Sequence, residues 1–384
     1  MTTTTPATRP RLFSRALLLI MGANFGALTS LYLLLSVVPL YTAKLGDNGV
    51  GAGLSTGLLM TATVVAELAT PRLVARFGYR WVLAAGLMLL GAPTLALAFA
   101  PTMATIMLVS LVRGTGFAIV MVVSGALVPL LLPKERQGEG LGISGLVACL
   151  PPIAALPLGL WLASAAGFTA AFLVGGFCAL AGLAVIGWVP KVAPSGESAV
   201  GIVAGLRTAA LNRPAIVFAT TAMAGGIVAG FLPLAVSGGS GSLAATALLV
   251  QAATAAGSRW LAGRFGDRYG AGKLLVPAAL VAAVGLIPLV VTDNPVAILA
   301  GMAVFGIGFG AAQNASIALM LSRVAPSSYG TVSALWNMSY DGGWGLGATG
   351  FGILAARVGF SPAFAATAVL MVATVTYFHR SIKK

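Results

Sequence analysis

The sequence predicts an all-α integral membrane protein with twelve transmembrane helices in two pseudo-symmetric six-helix bundles. Three observations predict it: a composition that only lipid can solvate, a repeat of the chain on itself, and a one-sided placement of basic residues. The 384 residues are 59% hydrophobic and 8% charged, with a mean hydropathy of +1.00. A soluble domain carries about a quarter charged residues. A helix of roughly 20 apolar residues spans the hydrocarbon core, where it satisfies its own backbone hydrogen bonds. In that setting the 50 glycines speak for closely packed helices rather than for loops.

The repeat lies at a distance of 192 residues, half the chain. Arg76, Gly78, Gly114, Gly116, Phe117, Gly138, Gly167 and Phe168 recur as Arg268, Gly270, Gly306, Gly308, Phe309, Gly330, Gly359 and Phe360. Duplicated helical bundles of this kind hold their substrate site between the repeats, so the sequence points to a transporter.

Charges, Gly/Pro clusters and the ends of apolar runs delimit the spans in order. The first, 15–41, follows Arg9, Arg11 and Arg15 and is too long for a cleaved signal core. Spans 51–75 and 80–99 flank the loop at Gly78, and 102–131 ends before Lys134. The fifth, 138–165, contains Pro151, Pro152 and Pro157, which bend a helix and free backbone carbonyls. The sixth is 168–189. The Pro-, Gly- and Ser-containing stretch 190–212 is the longest interior connection, a linker between a first bundle at 1–189 and a second at 213–384. The second bundle holds spans 213–236, 241–262, 273–292, 295–322, 328–356 and 360–379.

With the N-terminus inside, the cytoplasmic segments hold 19 of the 22 basic residues, Arg259 counted among them. The outer loops hold Lys44 and Arg357, and Arg113 lies within a span. This asymmetry places both termini in the cytoplasm and fits an inner (plasma) membrane protein. The net charge of +14 is spread between apolar runs, which argues against nucleic acid as a partner. Cys149 and Cys178 lie in spans and His379 is alone near the C-terminus. No disulfide framework, metal or cofactor is expected, and the absence of a nucleophile–base set argues against an enzyme. A monomer is expected.

At two loops the chain resembles the major facilitator superfamily. That family's loop pattern is Gly, three residues, Asp-Arg, one residue, Gly, then a base. The second half carries Gly263, Asp267, Arg268, Gly270 and Lys273, the base coming later than in the pattern; the first keeps Arg76, Gly78 and Arg80 but has Ala75 in place of the acid. Arg113-Gly114-Thr115-Gly116 is similar to the family's Arg-and-glycine motif in the fourth span. The resemblance, which extends to bacterial proton-driven exporters within that family, implies alternating access, with these loop residues gating it and Arg113 helping to couple protonation to conformational change. On physical grounds Asp267 is suited to accept bonds from a helix N-terminus or to pair with an arginine across the interface. Such a latch would hold the cytoplasmic side closed.

Three charged residues fall inside spans: Glu67, Arg113 and Asp341. An ionised group there costs at least a few kcal/mol and needs a partner or a wet cavity. Asp341 lies about 20 Å along its helix at about 1.5 Å per residue, near mid-bilayer. It shares a face with Asn337 and Trp344, with Tyr340 beside them, and Trp336 joins these as a candidate substrate contact. Asp341 is the expected proton carrier, with Glu67 and Arg113 as further coupling residues; the rival reading for each is a structural bond. Asn24, Tyr32, Gln313 and Asn314 join that aromatic face as candidate substrate contacts, with helix–helix bonding as the rival. The expected activity is proton-coupled export of small apolar or amphipathic molecules such as drugs. The alternative is proton-coupled import of a small metabolite.

Overall fold

The computed structural model describes residues 12–45, 50–99, 102–189, 201–236 and 241–382. In chain order the α-helices are α1 (Arg15–Lys44), α2 (Val50–Ala96), α3 (Met103–Leu131), α4 (Gln137–Ala148), α5 (Leu150–Ala165), α6 (Gly167–Leu180), α7 (Ile202–Arg207), α8 (Ala209–Ala235), α9 (Gly241–Tyr269), α10 (Gly272–Leu286), α11 (Pro295–Ser322), α12 (Tyr329–Val358) and α13 (Phe360–Ile382). They form the expected twelve spans. α2 is two spans joined at Gly78, α4 and α5 are one span broken at Cys149, and α7 is too short to cross.

The breaks have local causes. Gly78 turns the chain at φ 77° and ψ 159°, a backbone state closed to residues with a Cβ. Pro151 and Pro152 follow Cys149 in the first turn of α5, where their missing N–H groups cost least. The part of the expected linker that is described, 201–212, holds α7 and the start of α8; residues 190–200 lie outside the described residues.

Among the described residues, nine helices are long and apolar enough to cross a membrane, and α2 counts once among them. α9 and α12 fall short. Both contribute polar side chains to the interior, so neither needs to be apolar all round.

The duplication is visible in the backbone. Among the described residues the glycines with positive φ are Gly78, Gly167, Gly270 and Gly359, two pairs at the 192-residue offset. A Cβ on Gly114 would strike the carbonyl of Leu59, and one on Gly306 the carbonyl of Gln251, the equivalent residue. Gly116 packs on Gly86 and Leu90, and Gly308 on Ala278 and Ala282, again equivalents. Glycine at these places lets helix backbones touch, which is how helices associate where lipid removes the hydrophobic drive.

Among the described residues the apolar cores of the two bundles join at one end. At the end carrying Arg72, Arg76, Arg80, Arg264 and Arg268, here the basic end, one apolar core runs through both halves, joining Val74, Tyr79 and Leu127 to Ile317, Tyr329 and Leu335. Toward the opposite end the cores are separate. Leu33, Val37, Leu97, Ile106 and Phe172 belong to the first half, and Val236, Leu289, Ile298, Phe351 and Phe364 to the second. Gln137 Nε2 donates to Tyr329 Oη at 3.5 Å; these residues are themselves 192 apart and mark the pseudo-twofold axis.

Candidate functional site

Between the halves the structure gathers ionisable side chains from five spans. Glu67 of α2 is fully buried, no N–H or hydroxyl donor reaches its two carboxylate oxygens, and the acid within side-chain hydrogen-bond reach of it is Asp341 of α12. Tyr32 of α1 interacts with Asp341 and Tyr340. Arg259 of α9 interacts with Tyr340 and with Cys149 at the break in the fifth span. Glu67, Tyr32, Tyr340 and Asp341 were expected in the site and come together there.

Arg259 corrects the expectation. The basic-residue count places it with Arg264 and Arg268 in a cytoplasmic segment, but it lies inside α9, adding to the three charges expected within the spans. Its Nη1 donates to Gln313 Oε1 at 2.8 Å, and its guanidinium carbon stands 6.0 Å from the ring centroid of Trp336. A Cβ on Gly145 of α4 would collide with the guanidinium, so that glycine makes the notch the arginine fills. The repeat carried the signal: position 259 is the equivalent of position 67, and 149 the equivalent of 341. The two places are therefore related by symmetry but opposite in chemistry, acid beside acid at one and an arginine within electrostatic reach of a thiol at the other.

α12 presents an aromatic ladder. Phe218 of α8 stacks on Trp336 with centroids 4.7 Å apart and planes at 11°. Trp336 lies over Tyr340 at 6.1 Å, and Tyr340 against Trp344 at 5.4 Å. Trp336 Nε1 donates to Ser316 Oγ at 2.9 Å, which fixes its plane. Trp336, Asn337, Tyr340, Asp341 and Trp344 are each half-buried.

Other expected contacts go elsewhere. Asn337 Nδ2 donates to Ser333 O of its own helix at 2.9 Å. Asn24 lines a small pocket with Met21, Phe25, Val128 and Ser144. Asn314 Nδ2 donates to Gly138 O at 3.2 Å, so it serves the contact between halves at the basic end. Arg113 is 1% exposed and donates from Nη2 to Ser30 O at 3.2 Å, a bond inside the first half.

At the basic end Asp267 accepts from the backbone N–H of Gly138 at 2.6 Å and of Glu139 at 2.7 Å. These are orphan donors at the start of α4, so the carboxylate caps a helix of the other half. Burial pushes this carboxyl above its ordinary value, opposed by the same two N–H groups and by Arg136, with the charge of Glu139 adding to the rise. Gly263 lies against Gly138 O, with no room for a Cβ. Arg76, Arg80 and Arg268 stack instead on their neighbours Phe77, Trp81 and Tyr269 at 5.2, 5.8 and 5.8 Å. Gly78 and Gly270 make the turns.

A repeated helical bundle with a polar site between its halves defines a secondary transporter, and not an enzyme. Residues 20–348 match the Major Facilitator Superfamily, and the chain belongs to that family. Its fold is similar to that of a variant of the E. coli fucose:proton symporter FucP, with a TM-score of 0.81 at 15% identity, covering 97% of this chain and 100% of that one. It is similar also to the proton:xylose symporter XylE, with a TM-score of 0.76 at 14% identity over 96% and 95% of the two chains. The human organic anion transporter MFSD10 (TETRAN) gives 0.76 at 14% identity over 94% and 98%. At these identities the likeness is one of fold.

Proposed function

We propose that the protein is a proton-driven exporter of small amphipathic molecules, working by alternating access in the cell's inner membrane. The observation that carries this reading is the carboxyl pair Glu67–Asp341, which bridges the two halves at mid-span and, among the described residues, has no basic partner. Two carboxylates brought together in a medium of low dielectric repel, so they hold best with a proton between them. A change in the approach of the halves then changes how tightly that proton is held, and proton movement is tied to domain movement. The positive-inside rule puts the basic end and both termini in the cytoplasm. With the halves joined at that end, the described state is closed inside and parted outside.

The aromatic ladder, with the amides of Asn337 and Gln313 beside it, favours an amphipathic cargo over a polyhydroxylated one. A second reading, proton-coupled import of a small metabolite, is favoured by the symporters FucP and XylE among the similar folds. Purified protein in liposomes with an imposed pH gradient separates the two, because an exporter moves cargo toward the acidic side and a symporter away from it. Asp341→Asn is expected to abolish gradient-driven accumulation while leaving cargo exchange at equal pH. Undiminished accumulation by that variant overturns the coupling role.

A further inference from the structure

We propose that Arg259 is the anchor for an anionic group of the cargo, which makes the transported class an amphipathic organic anion: a flat apolar body carrying a carboxylate or sulfonate. This rests on the transporter reading and names its substrate class. The first support is a charge without a counter-ion. Among the described residues no carboxylate bonds to Arg259; its one hydrogen-bond partner there is the neutral Gln313 amide, and its Nε is buried with no partner. The two acids of the interior, Glu67 and Asp341, interact with each other. The titratable groups facing Arg259 are Cys149 and Tyr340, both neutral in their ordinary forms. A guanidinium held in low dielectric costs several kcal/mol unless something neutralises it.

The second support is its placement. Arg113, the other arginine of the interior, is 1% exposed and bonded within its own half, as a structural residue would be. Arg259 is half-buried and reaches across into the notch at Gly145 of the other half, beside the stacked faces of Trp336 and Tyr340. A guanidinium offers a planar fork of donors that matches a carboxylate or sulfonate, and the half-buried aromatic ladder next to it offers an apolar wall to a flat body. The two features together specify both ends of one ligand.

Binding without a gradient tests this separately from proton coupling. Purified protein is titrated with benzoate and 2-naphthalenesulfonate, and with the uncharged 2-naphthol and benzyl alcohol, following thermal unfolding and quenching of tryptophan fluorescence. The anions are expected to bind the wild type and to weaken at least 10-fold in Arg259→Gln, with Arg259→Lys partly restoring affinity. Gln313→Glu supplies a counter-ion from within the protein, so it is expected to fold with unchanged or raised stability and to lose the anions. The proposal is overturned by anions that fail to bind the wild type, by uncharged analogues that bind as well, or by anion affinity that survives in folded Arg259→Gln or Gln313→Glu. Failure here leaves the gradient-driven test of Asp341 standing on its own.

Discussion

Asp267 is the clearest case of one residue acting across the two bundles. Its carboxylate takes both the Gly138 and Glu139 N–H groups, and hydrogen bonds to a charged group are worth about 1.5–3 kcal/mol each. In Asp267→Asn the amide oxygen keeps one acceptor position and the charge is lost. The joined state of the basic end is expected to weaken by about 1.5–3 kcal/mol, roughly a tenfold or greater shift in population. Cysteine accessibility or spin-label distances across that end would read it as opening; an unchanged distribution would remove the latch role. Asp267 was legible from its motif, because an acid in a basic loop is conspicuous. Arg259 was hidden by the same context, since an arginine shortly before Arg264 and Arg268 reads as loop charge unless the repeat is laid beside it.

At the scale of helices, glycines divide into those that pack within a bundle and those that pack between bundles. Gly343 of α12 lies against Ala219 O of α8, and Gly263 of α9 against Gly138 O of α4. Both places lack room for a methyl group, but the consequences differ. Gly343→Ala is expected to lower the melting temperature, because α8 and α12 stay together in every state. Gly263→Ala is expected to leave folding nearly intact and to disfavour the joined basic end, since parting the bundles relieves the clash. Measuring unfolding and conformational population on both variants checks the distinction; equal loss of stability would refute it. The sequence displayed the spacing of these glycines but not their partners. Which backbone a glycine meets depends on how helices cross, and crossing is settled by packing of the whole bundle.

For the whole molecule, the duplication explains both what was legible and what was not. Hydropathy and the 192-residue offset revealed twelve spans, because each span must be apolar for itself and each turn needs its own glycine. α9 and α12 are delimited in the sequence by charges, Gly/Pro clusters and the ends of apolar runs, although their polar residues dilute the hydropathy. The break at Cys149 and the meeting of Glu67 with Asp341 needed three dimensions. The same symmetry yields a prediction for its one broken motif. Ala75 occupies the place of Asp267, and Gly330 the place of Gly138. Ala75→Asp is expected to cap the start of α12 as Asp267 caps α4, adding to the joined state and slowing turnover in liposomes, whereas Ala75→Asn would do so less. Faster turnover in Ala75→Asp would show that the two sides are not equivalent in this respect.

Glu67 and Arg259 hold equivalent positions in halves related by an axis along the membrane normal, so they sit at one depth. The interior is therefore an electric dipole lying in the plane of the bilayer along the interface between the bundles, from the Glu67–Asp341 pair toward Arg259. The transmembrane field is perpendicular to it. Rocking the bundles about a line in the membrane plane along that interface leaves both ends of the dipole near their own depth, so the net charge carried across by cargo and proton bears most of the voltage dependence.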